Sequence, residues 1–153
     1  MTSHAKYLAL ALAAAALSSC GTLTLERVDF AWPVESVVTV DNGSRIEENR
    51  YALTLNVARL AGEEFQDTTA LRGASLRLLR NGDGFYFVTG ARFKNVYVFA
   101  SGEHELRMKS KIAVTATGLH DPALNQRTPY VELVDGDTFK KLLTSDNLVE
   151  GTH

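Results

Sequence analysis

Only one of the 153 residues is a cysteine, Cys20, and it lies close to the N-terminus. The rest of the chain has no thiol and can form no internal disulfide. Histidine is also sparse, with four residues in all, and none of them has a partner at HxH or HExxH spacing. The sequence therefore predicts a domain without a disulfide and without a metal site.

Signals of catalysis are equally scarce. No GxSxG motif is present, and the glycine-rich stretch 81–84 lacks the lysine and the following helix of a phosphate-binding loop. The acid pairs at 47–48 and 63–64 are poorly suited to hydrolysis of a glycosidic bond, because adjacent residues on a strand point to opposite faces. We therefore expect a protein that is not an enzyme.

The first twenty residues follow the three-part plan of an export signal. Residues 1–6 are polar with one fixed positive charge, Lys6; residues 7–17 are apolar; and two serines precede Cys20. A membrane-spanning helix needs about 20 apolar residues, whereas this run has eleven. The segment predicts export rather than permanent insertion in a membrane.

The four residues Leu17-Ser18-Ser19-Cys20 resemble the lipobox of bacterial prolipoproteins, an aliphatic residue and two small residues before a cysteine. The resemblance implies that the Cys20 thiol takes a diacylglycerol, a step that needs a sulfur nucleophile. It also implies cleavage between Ser19 and Cys20 and acylation of the new amine. This covalent lipid is the one prosthetic group expected, and the resemblance does not extend into residues 21–153.

The resemblance also implies a location. In lipoproteins of bacteria with two membranes, an aspartate after the cysteine often retains the protein in the inner membrane, and here that position is Gly21. We expect an outer-membrane lipoprotein that faces the periplasm, or one on the extracytoplasmic face of a single cell membrane. Its segments would be a cleaved signal (1–19), a lipidated cysteine with a short tether (20–25), a single β domain (26–145) and a polar C-terminal tail (146–153).

Alternating apolar and polar residues dominate the mature chain. The stretches 51–60 and 105–117 predict strands with one buried and one wet face. The stretches 84–90 and 93–100 are apolar on both faces, which is typical of central strands in a sheet that is covered on both sides. Residues 81–84, Asn-Gly-Asp-Gly, predict a hairpin turn.

Helix signals are few. Asp137 could cap a short helix over residues 138–143, in which Phe139, Leu142 and Leu143 would share a face. The prediction is therefore mainly β, an antiparallel β-sandwich or small barrel of about eight strands with a short C-terminal helix. The order of the strands cannot be read from the sequence.

Charge is segregated along the chain. Residues 72–111 carry eight Lys/Arg and three Asp/Glu, a net of +5, while residues 26–67 have a net of −5 and residues 121–150 a net of −3. An anionic partner for the middle third is one explanation. Pairing of these strands with the acidic ones, or simple solvation, is the other.

A strip of basic residues is the best candidate surface. Arg107, Lys109 and Lys111 alternate along one predicted strand and should share a face, with Arg92 and Lys94 approaching from a neighbouring strand. Such a strip could meet phospholipid headgroups, lipopolysaccharide phosphates or an acidic protein. A second candidate is a loop with polar residues, Asn125, Gln126 and Arg127.

Three functions remain open at this level. The favoured one is a non-enzymatic envelope lipoprotein, a binding module or an accessory or scaffold subunit of an envelope complex. The alternative is a carrier or sensor of an amphipathic ligand in a β cavity. A hydrolase of envelope polymers is the third.

The expected partners are the membrane, through the anchor, and an envelope protein or an anionic lipid or glycan. Nucleic acid is not expected for an exported chain with a net charge of −2.

Overall fold

The computed structural model of the protein describes residues 34–137 and 139–149. The predicted signal segment, Cys20 and the predicted tether lie outside the described residues, as does the start of the predicted β domain up to residue 33. Across the described ranges, no helix is both long enough and apolar enough to cross a membrane.

The described part of the chain is mainly β, as predicted, and contains ten strands, one α-helix and one 3-10 turn. In chain order these are β1 (Ser36–Thr39), β2 (Arg45–Glu48), the 3-10 turn (Asn49–Tyr51), β3 (Leu53–Asn56), α1 (Ala58–Phe65), β4 (Ser75–Arg80), β5 (Tyr86–Gly90), β6 (Asn95–Ser101), β7 (Leu106–Ala113), β8 (Pro122–Arg127), β9 (Tyr130–Asp135) and β10 (Phe139–Leu143).

The strands form three antiparallel sheets. The largest has five strands in the order β1-β4-β5-β6-β7, and two smaller sheets are formed by β10-β9-β8 and by the hairpin β2-β3. Since β1 and β7 stand at the two edges of the largest sheet, it is not a closed barrel. The predicted turn at 81–84 does join β4 to β5, with the Asn81 side-chain oxygen accepting from the backbone N–H of Asp83 (3.1 Å) and of Phe85 (2.9 Å).

One face of the five-stranded sheet, here called the β8 face, packs against the three-stranded sheet. Leu79, Phe87 and Val98 lie side by side on this face in register and are fully buried. At its margin the Glu35 carboxylate accepts from the backbone N–H of Leu124 in β8 (2.7 Å) and pairs with Arg77 of β4 (3.3 Å). Burial raises the pKa of Glu35, against the opposing effects of these two partners.

The opposite face, here called the helix face, is covered by α1 and the β2-β3 hairpin. Val88 and Tyr97 are paired on this face and buried. Phe65 at the end of α1 packs edge-on against Phe93, with ring centroids 5.3 Å apart. Because both faces are covered, every residue of β5 is buried. The prediction of central strands covered on both sides is therefore confirmed.

The helix α1 was not predicted, because residues 51–60 were assigned to one strand. The strand ends at Asn56, whose side-chain oxygen accepts from the N–H of Ala58 at the start of the helix (2.9 Å). The helix buries Leu60 and ends where Gln66 adopts a left-handed backbone conformation. An asparagine followed by apolar residues three to four apart was the available signal.

The predicted C-terminal helix over residues 138–143 is wrong, because Phe139–Leu143 forms the strand β10. This strand pairs with β9 through a turn in which Gly136 has a positive φ of 63°. The spacing of Phe139 and Leu143 fits either period, since residues four apart share a face in a helix and in a strand. Pairing with β9 decides in favour of the strand.

Two further segments are more regular than expected. Asn125, Gln126 and Arg127, assigned to a loop, lie in β8. Residues 146–149, assigned to a polar tail, hydrogen bond back to the domain, for example through the N–H of Val149 to the carbonyl of Leu142 (2.8 Å).

A buried carboxylate links the N-terminal strands. Glu48, at the end of β2, is 8% exposed and accepts from the N–H (3.0 Å) and the side-chain Nε (3.1 Å) of Arg50. Arg50 also hydrogen bonds to the Ser36 hydroxyl in β1. Burial alone would raise the pKa of Glu48, but the hydrogen bonds from Ser36 and Arg50 outweigh it and hold this pKa below its usual value.

A depressed carboxyl pKa stabilises the fold above the unfolded-state pKa and loses this effect as pH falls through the folded-state value. We expect Glu48→Gln to lower the free energy of unfolding at pH 7 by about 1 kcal/mol. The effect is no larger because the Arg50 side chain is half exposed, so that solvent screens part of its interaction with Glu48. The loss of stability between about pH 5 and pH 3 should be smaller in the variant than in the wild type. Urea unfolding at a series of pH values measures both, with exposed Glu47→Gln as the control; identical pH profiles for Glu48→Gln and wild type would contradict the assignment.

Candidate functional site

An apolar groove opens beside β7 on the helix face of the five-stranded sheet, with a volume of about 430 Å³. We call it the β7 groove. Its floor is formed by Val88 of β5, Phe99 of β6, and Leu106 and Met108 of β7. Residues paired across two strands share a face, and so do residues two apart on one strand. Val88 pairs with Tyr97, two residues from Phe99, and Phe99 pairs with Met108, two residues from Leu106, so all four side chains lie on the helix face.

The roof and one wall of the β7 groove come from the elements that cover the helix face. Ile46 of β2 and Leu55 of β3 form the roof, and Leu60 of α1 forms the wall. The floor stays partly open beside β7, where Met108 is 41% exposed. Apolar side chains that converge on a concave, partly open space are typical of ligand sites.

Four charged residues surround the mouth of the β7 groove. Arg59 and Glu63 lie one turn apart on α1, and Glu105 and Arg107 lie at the start of β7. Arg107 pairs with Glu105 (2.7 Å), but both side chains are well exposed and the pair is weak. Within the described ranges Arg59 has no ion pair or side-chain hydrogen bond, so its guanidinium is available to a ligand.

A smaller, more polar cavity of about 280 Å³ adjoins the groove. Its walls are residues 52–55 at the start of β3 and residues 101–106 in the turn between β6 and β7, including His104. The two spaces share Leu55, Glu105 and Leu106. The site therefore has an apolar part and an adjoining polar part, which suits an amphipathic molecule.

One carboxylate holds α1 against the sheet and so fixes the wall of the groove. The Glu64 side chain accepts hydrogen bonds from the backbone N–H of Lys94, the side-chain amide of Asn95 (2.7 Å) and the hydroxyl of Tyr97 (2.7 Å). We call this arrangement the Glu64 clamp. Burial, followed by the hydrogen bond to Glu64 and its charge, raises the pKa of Tyr97, so this hydroxyl remains a donor at any physiological pH.

The predicted basic strip is divided by a β-bulge in β7. Val98 pairs with Ser110 and Phe99 with Met108, so Lys109 is an extra residue in the ladder. The bulge changes the alternation, and Arg107 lies on the β8 face while Lys111 lies on the helix face. The expectation that Arg107, Lys109 and Lys111 share one face is therefore wrong.

The basic residues lie in three different environments. Lys109 pairs with Asp146 and lies over the ring of Phe85 (5.3 Å). Arg107, although its position in the ladder is on the β8 face, lies on the edge strand and is among the residues that line the mouth of the β7 groove. The other three, Arg92, Lys94 and Lys111, lie near the C-terminal end of α1, where positive charge offsets the helix dipole. The Arg92 guanidinium lies over the Phe65 ring, the Lys94 N–H donates to the Glu64 carboxylate, and the Lys111 ammonium donates to the Glu63 carbonyl.

The ion pair between Lys109 and Asp146 agrees with one alternative explanation of the charge segregation, the pairing of these strands with acidic segments. Ligand binding by the strip as a whole stays a prediction, and of its five residues only Arg107 lines the β7 groove. The second candidate segment lies elsewhere: Asn125 and Arg127 both hydrogen bond to Glu132 on β9, at 3.4 and 3.3 Å.

The groove was not predicted from the sequence. The stretch 105–117 was expected to form a regular strand with one buried and one wet face. The bulge directs Leu106 and Met108 to the helix face and Ile112 to the β8 face. A β-bulge leaves no mark in the alternation of apolar residues, so only the structure could reveal which apolar side chains form the floor.

In the part of the chain that the structure describes, no group of three or more His, Cys, Asp or Glu side chains could hold a metal ion. No significant match was found among protein-family models, among curated proteins or among solved structures. The candidate site is accordingly defined by its geometry: an apolar floor, a charged mouth and a helix fixed by the Glu64 clamp.

We expect Glu64→Gln to destabilise the domain. The amide keeps one acceptor oxygen but directs an NH₂ group toward donors, so at least one of the three hydrogen bonds is lost. Hydrogen bonds to charged groups contribute about 1.5–3 kcal/mol each, and we expect the free energy of unfolding to fall by about 2–3 kcal/mol. Urea unfolding measures the loss. Exposed Glu63→Gln, on the same helix, is the control and should change stability by less than about 0.5 kcal/mol; equal effects would argue against the clamp.

Proposed function

We propose that this protein is a lipid-anchored, non-enzymatic binding module of the bacterial envelope, and that the β7 groove is its binding element. The anchor rests on the resemblance of Leu17-Ser18-Ser19-Cys20 to a lipobox. We also infer that the architecture is sandwich-like, with the five-stranded sheet between the three-stranded sheet and the layer of α1 and the β2-β3 hairpin. The proposed location is the outer membrane, facing the periplasm.

The observation that carries the proposal is the β7 groove itself. Its volume of about 430 Å³ falls within the range of about 300–1,000 Å³ that is usual for ligand sites. Its floor is apolar and its polar groups stand at the mouth, a distribution that binds and orients a ligand. The half-open floor around Met108 costs free energy while it faces water, and an apolar partner would recover that cost.

Two kinds of partner fit this proposal. A protein partner would make the chain an accessory or scaffold subunit of an envelope complex. An amphipathic small molecule would make it a carrier or sensor, and the groove favours this second form, because its floor is recessed beneath Leu55 of the hairpin rather than spread over a flat surface.

The anchor is tested by labelling cells with an alkyne analogue of palmitate and separating membrane and soluble fractions. Wild type and the conservative control Ser19→Ala should both be labelled and found in the membrane fraction, because a small residue remains before the cysteine. Cys20→Ser should lose the label and the processing, since a serine hydroxyl cannot replace the thiolate as the nucleophile that accepts the diacylglyceryl group. Label retained on Cys20→Ser would exclude lipidation at this residue.

The partner is tested by crosslinking the lipidated protein in its own envelope and purifying it. The variants are Met108→Lys on the groove floor and Lys140→Glu, an exposed position on β10 remote from the groove. A stoichiometric protein that is lost with Met108→Lys and kept with Lys140→Glu supports the accessory form. A co-purified lipid without a protein supports the carrier form. A protein partner retained by both variants would count against the groove as the binding element.

A further inference from the structure

We propose that the β7 groove binds the acyl chain of a single-chain carboxylate amphiphile, with the chain on the floor and the carboxylate at Arg59. This inference rests on the proposed role of the groove as the binding element and assigns it a ligand class. A fatty acid is the simplest molecule of this class.

The floor matches a flexible hydrocarbon chain. It is made of two aliphatic side chains, one aromatic ring and one thioether: Val88, Leu106, Phe99 and Met108. Methionine adapts its shape to irregular apolar partners, and its exposed fraction of 41% shows that the floor is incompletely covered by the protein itself. No charged group of the described residues lies on the floor, so a chain could lie there without desolvating an ion.

The site combines an apolar part with a smaller polar part. The apolar part of about 430 Å³ joins the polar part of about 280 Å³ through Leu55 and Leu106. A protein partner usually buries about 800 Å² on each side of an interface, far more than four side chains beneath a hairpin can offer. A small molecule with an apolar chain and one polar end fits these two spaces better than a protein surface does.

The charges at the mouth favour a single negative charge on the ligand. Arg107 is already paired with Glu105 (2.7 Å), whereas Arg59 has no ion pair among the described residues. Arg59 can therefore donate to a carboxylate, with the two-pronged geometry that guanidinium and carboxylate groups share. Glu63 and Glu105 stand at the same mouth and would repel a head group with two negative charges.

The test uses the full-length chain and a palmitate analogue with a diazirine near the chain end and an alkyne for enrichment. Membrane and soluble fractions of expressing cells are incubated briefly with the probe, without ATP, so that it is not esterified. After irradiation, mass spectrometry identifies the labelled peptides. We expect label on the groove segments, residues 55–60 and 99–108, and competition by unlabelled palmitate.

Two pairs of variants test the chain and the head separately. Met108→Lys places an ammonium group on the floor, and we expect labelling to fall about tenfold, equivalent to about 1.4 kcal/mol. Val37→Lys is its control, because Val37 is also an exposed apolar residue on an edge strand of the same sheet. Arg59→Gln should weaken competition by palmitate about threefold, as expected for an exposed charge contact, while Arg127→Gln should not.

Label outside the groove segments, or label unchanged by Met108→Lys, overturns the acyl-chain assignment. Absence of groove label overturns it as well, whether the groove is empty or holds the chain's own anchor. Equal competition in Arg59→Gln and wild type overturns the position of the carboxylate. Since both fractions are assayed, failure of the anchor changes where the protein is found, and failure of this inference changes only where the probe binds.

Discussion

A single carboxylate, that of Glu64, determines how the helix face of the sheet is covered. The helix α1 has only eight residues, too few to be stable without tertiary contacts. Three donors from β6 and the turn before it converge on this side chain, and all three would be costly to leave unpaired beneath the helix. The clamp therefore fixes the position of the helix, and with it the wall and the mouth of the β7 groove.

The bulge at Lys109 has the complementary role on the other side of the groove. Before it, Leu106 and Met108 lie on the helix face and form part of the floor, while after it the apolar residue Ile112 lies on the β8 face and is buried. One inserted residue thus shifts the alternation of β7 by one position, so that apolar residues of one phase reach both faces, and it separates basic side chains that a regular strand would have aligned. The geometry of the site depends on this local irregularity as much as on the regular sheet around it.

Strand content, the central position of β5 and β6, and the β4-β5 turn could be predicted because each has a local signal: alternation, apolar residues on both faces, and Asn81. The helix and β10 were not predicted, because their local signals are weak and tertiary contacts decide them. A short helix gains little from its own sequence and forms because Glu64 and Phe65 meet partners on β6 and its preceding turn. The four-residue spacing of Phe139 and Leu143 fits a helix and a strand equally well, and only pairing with β9 makes the segment a strand.

The bulge also affects whether two copies of the protein can pair through the β7 edge of the sheet. A regular edge strand beside an apolar opening would expose unpaired backbone N–H and C=O groups together with apolar side chains. Such an edge favours edge-to-edge pairing of two chains. At Lys109 the ladder is interrupted, and the segment around Asp146 folds back beside it. We expect this interruption to disfavour edge-to-edge pairing of two copies at the open side of the groove.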